Sequence, residues 1–228
     1  MNKQSLRPLP NCFLMGVFLM VLTFTAEAHC ELITVRFSGT LTTVFVHFPQ
    51  LQGFDFPEIG DRLSGFYKFD STAQDVQPHS DQGLFITSVS DTAVSVRIED
   101  FQFEGATSVI GTYQNVYLVG AMQPFELTSN PALAEILEDI GYNRFSLLVE
   151  KDNLYSNPNM LPLSPPTLDG ALRLEVAIVL GVEVPPPLIG ATMFASLDSL
   201  TVVPEPSGFV LLGLAFTLLL KIRPRRPC

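Results

Sequence analysis

Residues 172–180, Leu-Arg-Leu-Glu-Val-Ala-Ile-Val-Leu, decide the fold class. Apolar side chains stand at every second position from Leu172 to Leu180, which is the period of a β-strand with one buried face. Similar stretches, separated by Gly, Pro and Asp, occur at 32–48, 63–69, 83–89, 94–98, 109–119 and 192–202. The pattern predicts an all-β, mainly antiparallel single domain, arranged as a β-sandwich or jelly roll.

Two positions interrupt the alternation. Gly39 divides the first stretch, so we expect a break or a β-bulge there. The alternation that ends at Ile98 changes phase at Asp100 and resumes at Phe101, which predicts a turn or a bulge there.

One short helix is predicted within the β-rich region. Asn130 can cap it, Pro131 suits the first helical position and Gly141 can end it. The apolar residues between them have helical spacing: Leu133, Ile136, Leu137 and Ile140. We expect this amphipathic helix to cover one end of the sandwich rather than to bind a partner.

The first 28 residues have the parts of a secretory signal peptide. Lys3 and Arg7 precede an uncharged apolar run at 12–26, and Ala26 and Ala28 have the spacing that signal peptidase recognises. We predict cleavage after Ala28, which leaves 29–203 as the extracytoplasmic domain. The alternative is a retained N-terminal anchor, but the run is shorter than the roughly 20 residues that span a bilayer.

The last 25 residues predict a second membrane segment. Residues 208–220 form an uncharged apolar run, which predicts a transmembrane helix, and residues 221–228 form a basic tail. The topology determinants in this tail are Lys221, Arg223, Arg225 and Arg226. Because positive flanks stay cytoplasmic, both chain ends are predicted to remain inside while the middle crosses. A buried core helix is the alternative for 208–220, but that run has no polar face.

A short motif, Pro204-Glu205-Pro206, stands between the predicted domain and this segment. Its two prolines favour an extended backbone that a processing enzyme can grip. Together with the apolar run and the Arg-rich end, the motif resembles the PEP-CTERM sorting signal over residues 204–228. The resemblance implies export in a Gram-negative bacterium and processing near 204–206 by an exosortase, a membrane cysteine protease or transpeptidase. The run at 60–70 also resembles a pattern in β-rich proteins that carry this signal.

The charge distribution argues against a nucleic-acid partner. The chain has 13 basic and 23 acidic residues, and six of the basic ones flank the two apolar runs, so seven remain in the middle. Phosphate contacts require clustered Lys and Arg. The cysteines are Cys12, Cys30 and Cys228. If both terminal segments are removed, only Cys30 remains, so the domain must be stable without an internal disulfide.

No catalytic motif of a common class occurs, and we predict no enzymatic activity and no cofactor. Asp75, His79 and Asp81 could hold a metal, and Asp70 with the same two aspartates could bind calcium. Their spacing does not match an EF-hand loop, so we favour a solvated acidic loop. The carboxylates considered for glycoside hydrolysis are Glu99, Asp100 and Glu104.

The sequence leaves three functional classes. The first is a non-enzymatic structural protein of the envelope or of an extracellular, exopolysaccharide-associated matrix, with signal peptidase, an exosortase and the membrane as partners. The second is a carbohydrate-binding module, and the third is a secreted hydrolase. The aromatic residues considered for sugar binding are Tyr113, Tyr117, Tyr142 and Tyr155. The absence of Trp from the chain disfavours the second class.

Overall fold

The computed structural model describes residues 32–46, 54–77, 79, 81–140, 143–182 and 189–203. They form nine strands and one helix. The strands are β1 (Leu32–Val46), β2 (Arg62–Asp70), β3 (Gln82–Ser88), β4 (Val94–Ile98), β5 (Phe101–Tyr113), β6 (Val116–Leu127), β7 (Asn143–Glu150), β8 (Arg173–Val182) and β9 (Ile189–Val203). The helix, α1 (Pro131–Ile140), lies between β6 and β7. The predicted all-β, antiparallel class is confirmed.

Eight of the strands close into a barrel. Going round it, the order is β1, β2, β4, β5, β6, β7, β8, β9, and β9 pairs again with β1. Every pairing is antiparallel. The ninth strand, β3, pairs with the second half of β5, on the edge whose first half pairs with β4. The closed sheet leaves fewer unpaired strand edges than an open one.

The predicted sandwich or jelly roll is therefore wrong. Alternation specifies only that each strand buries one face, and two stacked sheets and a closed sheet share that property. Closure depends on which strands pair. The β1–β9 ladder pairs residues near opposite ends of the domain's sequence, such as Thr34 and Val203. The sequence of neither strand indicates which other strand it pairs with.

Side chains at alternate positions fill the interior. On β8, Val176, Ile178 and Leu180 are buried, as the alternation predicts, whereas Leu172 lies before the strand and is exposed. The largest fully buried side chains are Tyr67, Phe69, Phe103, Tyr117, Phe125 and Phe145. Aromatic rings in contact include Phe37 with Phe145, whose ring centroids are 5.6 Å apart.

The two predicted interruptions occur. The β1–β9 register shifts between Ser38 and Gly39, so a bulge lies at the predicted position. A side chain at Gly39 would overlap the backbone carbonyl of Ser196. The phase change follows a tight turn at Glu99 and Asp100, where Glu99 has a φ of 47°.

Helix α1 forms as predicted. The Asn130 side-chain oxygen accepts a hydrogen bond from the Leu133 N–H at 3.1 Å, which caps the first turn. Leu133 and Leu137 are buried in the core, and the helix contacts β6 and β8. It lies at an end of the barrel, as expected, while Gly141 lies outside the described residues.

Two strand predictions are corrected. The stretch at 109–119 is not one strand but the end of β5 and the start of β6, joined by a two-residue turn at Gln114 and Asn115. Strand β7 was not predicted, although Phe145, Leu147 and Val149 alternate within it and are buried.

The barrel has two ends with different contents. At the proximal end, β1 begins at Leu32 and β9 ends at Val203, and the loop at 151–172 lies there. At the distal end lie the segment 54–61, the turn at 99–100 and helix α1. Within the described residues, the structure has no helix with the length and apolar character needed to cross a bilayer. The predicted transmembrane helix at 208–220 lies outside those residues.

Candidate functional site

The predicted sorting and cleavage residues lie outside the described parts of the chain. These are the motif Pro204, Glu205 and Pro206, the tail residues Lys221, Arg223, Arg225 and Arg226, the signal residues Ala26 and Ala28, and the three cysteines. Their roles therefore stay predictions. The last described residue, Val203, directly precedes the motif.

The acidic loop at 70–81 does not form the considered metal site. Among the described residues, no group of three or more His, Cys, Asp or Glu side chains is arranged to hold a metal ion. Instead, Asp75 Oδ1 accepts hydrogen bonds from the backbone N–H groups of Gln77 and Leu84, at 3.0 and 2.9 Å. Asp70 Oδ1 accepts from the Thr72 N–H at 2.7 Å. These two carboxylates shape the loop through backbone contacts.

The tyrosines considered for sugar binding do not form an exposed strip. Tyr117 is fully buried, and its hydroxyl lies 2.7 Å from that of Tyr67 inside the barrel. The Tyr155 ring is half-buried, with its centroid 6.4 Å from that of Tyr117. Tyr113 is exposed on β5, and Tyr142 lies outside the described residues.

This buried tyrosine cluster is electrostatically unusual. Burial raises the pKa of Tyr67 well above its ordinary value, and the neighbouring Tyr117 raises it further. Burial also raises the pKa of Tyr117, although its hydrogen bond with Tyr67 acts in the opposite direction. The pKa of Tyr155 is raised by burial and then by Tyr117. All three phenols are therefore neutral at ordinary pH.

A cleft of about 500 Å³ at the distal end is lined by several carboxylates. Its acidic lining residues are Asp55, Glu58, Asp61, Glu99 and Asp100. The rings of Phe56 and Phe101 stack beside it with centroids 5.9 Å apart. Glu104, the third carboxylate considered for hydrolysis, is not among the lining residues. The considered set is thus divided between this cleft and the barrel wall.

An open groove of about 420 Å³ lies on the outer wall of β1, β2, β4 and β5. The lining residues at outward positions of their strands are Arg36, Ser64, Phe66, Ser95, Arg97 and Gln102, and the inward-facing Phe37 and Gly65 also border it. The strand register produces this set, because Phe66 is paired with Arg36 on one side and with Ser95 on the other. In the next row, Arg97 stands between Ser64 and Gln102. All six occupy outward positions of the pleat.

The groove concentrates the positive charge of an acidic domain. Lys68 Nζ lies 5.3 Å from the Phe66 ring centroid, which is within cation–π range. Arg97 Nε donates to the backbone oxygen of Glu99 at 2.9 Å. In the described parts of the chain, no carboxylate forms an ion pair with Arg36 or Arg97. Both guanidinium groups are exposed and can bind an external anion.

Sequence reasoning did not find this groove. Arg36 and Arg97 are separated by 61 positions, and only the β1–β2–β4 register places them on one surface. The only signal in the sequence was the alternation within each strand. It places Arg36, Phe66 and Arg97 on the outer face of the sheet, because the apolar residues between them face inward.

The chain matches no family model, and neither a curated protein nor a solved structure is significantly similar to it.

Proposed function

We propose that this chain is an exported, non-enzymatic surface or matrix protein of the cell envelope, held at the membrane by its C-terminal segment before processing. The observation that carries the proposal is the position of Val203. The barrel's last strand ends there, and the Pro204-Glu205-Pro206 motif begins at the next residue.

The two described ends of the domain favour anchoring from one side. Leu32 begins β1 and Val203 ends β9, and the two strands are paired, with Thr34 opposite Val203. The segments before and after the domain therefore join it at the same, proximal end. Both contain the apolar runs with basic outer flanks that predict export.

The connection to the predicted transmembrane helix is short. Five peptide steps separate Val203 from Gly208. A fully extended chain covers at most about 3.6 Å per step, so the proximal end would lie within about 18 Å of the start of that helix. A precursor inserted through 208–220 would therefore hold its barrel close to the bilayer.

The barrel suits a durable body outside the cytoplasm. Its stability does not depend on any disulfide among the described residues, and six large aromatic side chains are fully buried in it. Each such side chain contributes about 2 kcal/mol or more through burial of apolar surface. A closed sheet also limits edge-to-edge aggregation.

The proposal is tested by expressing the full chain and a variant lacking 204–228 in a Gram-negative host. We expect the full chain in the membrane fraction and the shortened variant in the soluble periplasmic fraction. A shortened variant that remains membrane-bound would show that the N-terminal run is the anchor. A full chain recovered folded and uncleaved from the cytosol would contradict export itself.

Carbohydrate binding is a second candidate, and the outer-wall groove favours it. The groove combines an aromatic ring with guanidinium, hydroxyl and amide groups on one face. The platform would then be Phe66 rather than the tyrosines. A hydrolase remains the third class, and the five carboxylates of the distal cleft are its candidates by residue type.

A further inference from the structure

We infer that the groove lined by Arg36, Phe66 and Arg97 is a binding site for a carboxylated polysaccharide. The inference deepens the proposed function, because it names the ligand through which a matrix protein would be retained. Its physical basis is independent of export, because it depends only on the outer wall of the folded barrel.

The guanidinium groups provide the specificity for carboxylate. Arg36 and Arg97 are exposed, and Arg97 uses its Nε for the Glu99 carbonyl, which leaves its terminal nitrogens available. Arginine binds carboxylate through two parallel hydrogen bonds. The two residues stand two strands apart and one pleat repeat apart along the strands. Their Cα atoms are therefore roughly 12 Å apart, by the spacings of a β-sheet. Two carboxylates on a polymer of sugar acids could contact both.

The remaining lining residues suit the neutral part of a sugar. Phe66 offers an apolar ring, on which the C–H face of a pyranose can pack. Ser64 is exposed beside it, and Gln102 adds an amide whose nitrogen donates to Glu104 Oε1 at 2.7 Å. The side-chain oxygen of Gln102 can accept from a sugar hydroxyl.

No carboxylate is among the described residues that line the groove. Glu104 accepts from Gln102, Asp91 lies 4.0 Å from Lys68 Nζ, and Asp198 binds Arg62 at 3.0 Å. None of the three is a lining residue. The groove thus presents two guanidinium groups that form no ion pair with any described carboxylate, on a chain whose formal net charge is −10. This net negative charge repels a polyanion at long range, so binding should depend on contacts inside the groove.

Other anionic macromolecules fit less well. Nucleic acid would require a more extended basic surface than two arginines and one lysine. An anionic bilayer would have to reach Phe66 near the middle of β2, away from the proximal end where the terminal segments join the barrel. A flexible polymer can follow the wall of the barrel without this restriction.

The test measures binding of the purified full chain, kept in a neutral detergent, to polygalacturonate. Comparison polymers are its carboxyl-reduced form, double-stranded DNA and phosphatidylglycerol vesicles. The groove variant is R36Q/R97Q. Its matched control is R144Q/R173Q, which removes two exposed positive charges from β7 and β8. The single variant R36Q is included because it breaks no hydrogen bond described within the protein.

We expect the wild-type chain to bind polygalacturonate and not its carboxyl-reduced form. R36Q/R97Q should weaken binding by about 10-fold or more, because both guanidinium groups lose their charge-assisted hydrogen bonds to the carboxylates. R36Q should weaken it several-fold, R144Q/R173Q should stay within about two-fold, and F66A should weaken binding without a change of charge.

Several results would overturn the inference. They are no binding by the wild-type chain, equal weakening by the groove and control variants, or retention of affinity in both R36Q and F66A. Binding of DNA or vesicles as tightly as polygalacturonate, with the same dependence on Arg36, would assign the groove to another anion. Because purified protein is used, a failure here leaves the fractionation test of export unaffected.

Discussion

At the scale of single residues, the barrel interior contains a polar contact that the sequence does not reveal. The hydroxyls of Tyr67 and Tyr117 lie 2.7 Å apart, and each residue is fully buried. The Tyr155 hydroxyl is also buried, and no hydrogen-bond partner is described for it. Sequence reasoning treated Tyr117 and Tyr155 as surface candidates for sugar binding. Tyrosine occurs both in cores and on surfaces, so residue type alone could not decide.

We predict that these tyrosines make the fold sensitive to alkaline pH. Burial raises the pKa of Tyr67 and Tyr117 in the folded state, while the unfolded chain titrates near pH 10. Above that pH the unfolded state loses protons that the folded state keeps. Their contribution to stability is therefore complete below about pH 10 and decreases as pH rises toward the folded-state pKa, by up to about 1.4 kcal/mol per pH unit for each group.

The measurement is the free energy of urea unfolding between pH 7 and pH 11.5, for the wild-type protein and for Y67F/Y117F. The double variant removes both hydroxyls together and leaves neither one unpaired, so we expect a small change at pH 7. It should lose less stability than the wild type above pH 10. Parallel pH profiles for the two proteins would contradict the prediction.

At the scale of elements, Gly65 on β2 leaves room for the aromatic ring of Phe37 on β1. Gly65 is opposite Phe37 in the β1–β2 ladder, and it occupies an inward position. A methyl group there would overlap the Phe37 ring and the backbone oxygen of Ser95. By contrast, a methyl group at Gly120 would be 3.5 Å from the Phe145 backbone oxygen, an ordinary contact.

We predict that Gly65→Ala destabilises the protein by about 2 kcal/mol or more, because the overlap forces backbone or ring to move. Gly120→Ala is the matched control, since both glycines lie within strands, and it should stay within about 1 kcal/mol of the wild type. Urea unfolding at pH 7 measures both. Equal stability of the two variants would show that the β1–β2 contact at Phe37 is looser than described.

The elements themselves were largely predictable from the sequence. The alternation from Leu174 to Leu180, the bulge at Gly39 and the cap at Asn130 were all predicted from local patterns, and the structure confirms them. Leu172 is the exception, since it lies before the strand and is exposed. The turn at 114–115 was missed because strong β-formers on both sides suggested a continuous strand. Strand β7 was missed although its inward residues alternate and although Gly141 stands between it and the helix in the sequence.

At the scale of the whole molecule, local sequence patterns could not predict which strands pair with each other. Closing the barrel requires the β5–β6 and β1–β9 ladders together. The groove could not be predicted for the same reason. Its arginines come from β1 and β4, and they lie near each other only because both strands pair with β2. Long-range pairing therefore determined both the architecture and the candidate site, and a single sequence contains little information about it.

The whole-molecule claim is that this barrel works outside the cytoplasm and is processed at both flanking segments. The joining of both segments to one end of the barrel fits a body delivered through a membrane and held near it. If the protein is exported and processed, the mature form has a lower mass than the 25.1 kDa of the full chain.

Intact-mass measurement of the protein isolated from its native host tests this claim most directly. We predict a mass that corresponds to an N-terminus at His29 and a C-terminus near residues 204–206, with any attached glycan visible as added mass. Recovery of the complete chain from Met1 to Cys228, folded and in the cytosolic fraction, would contradict it.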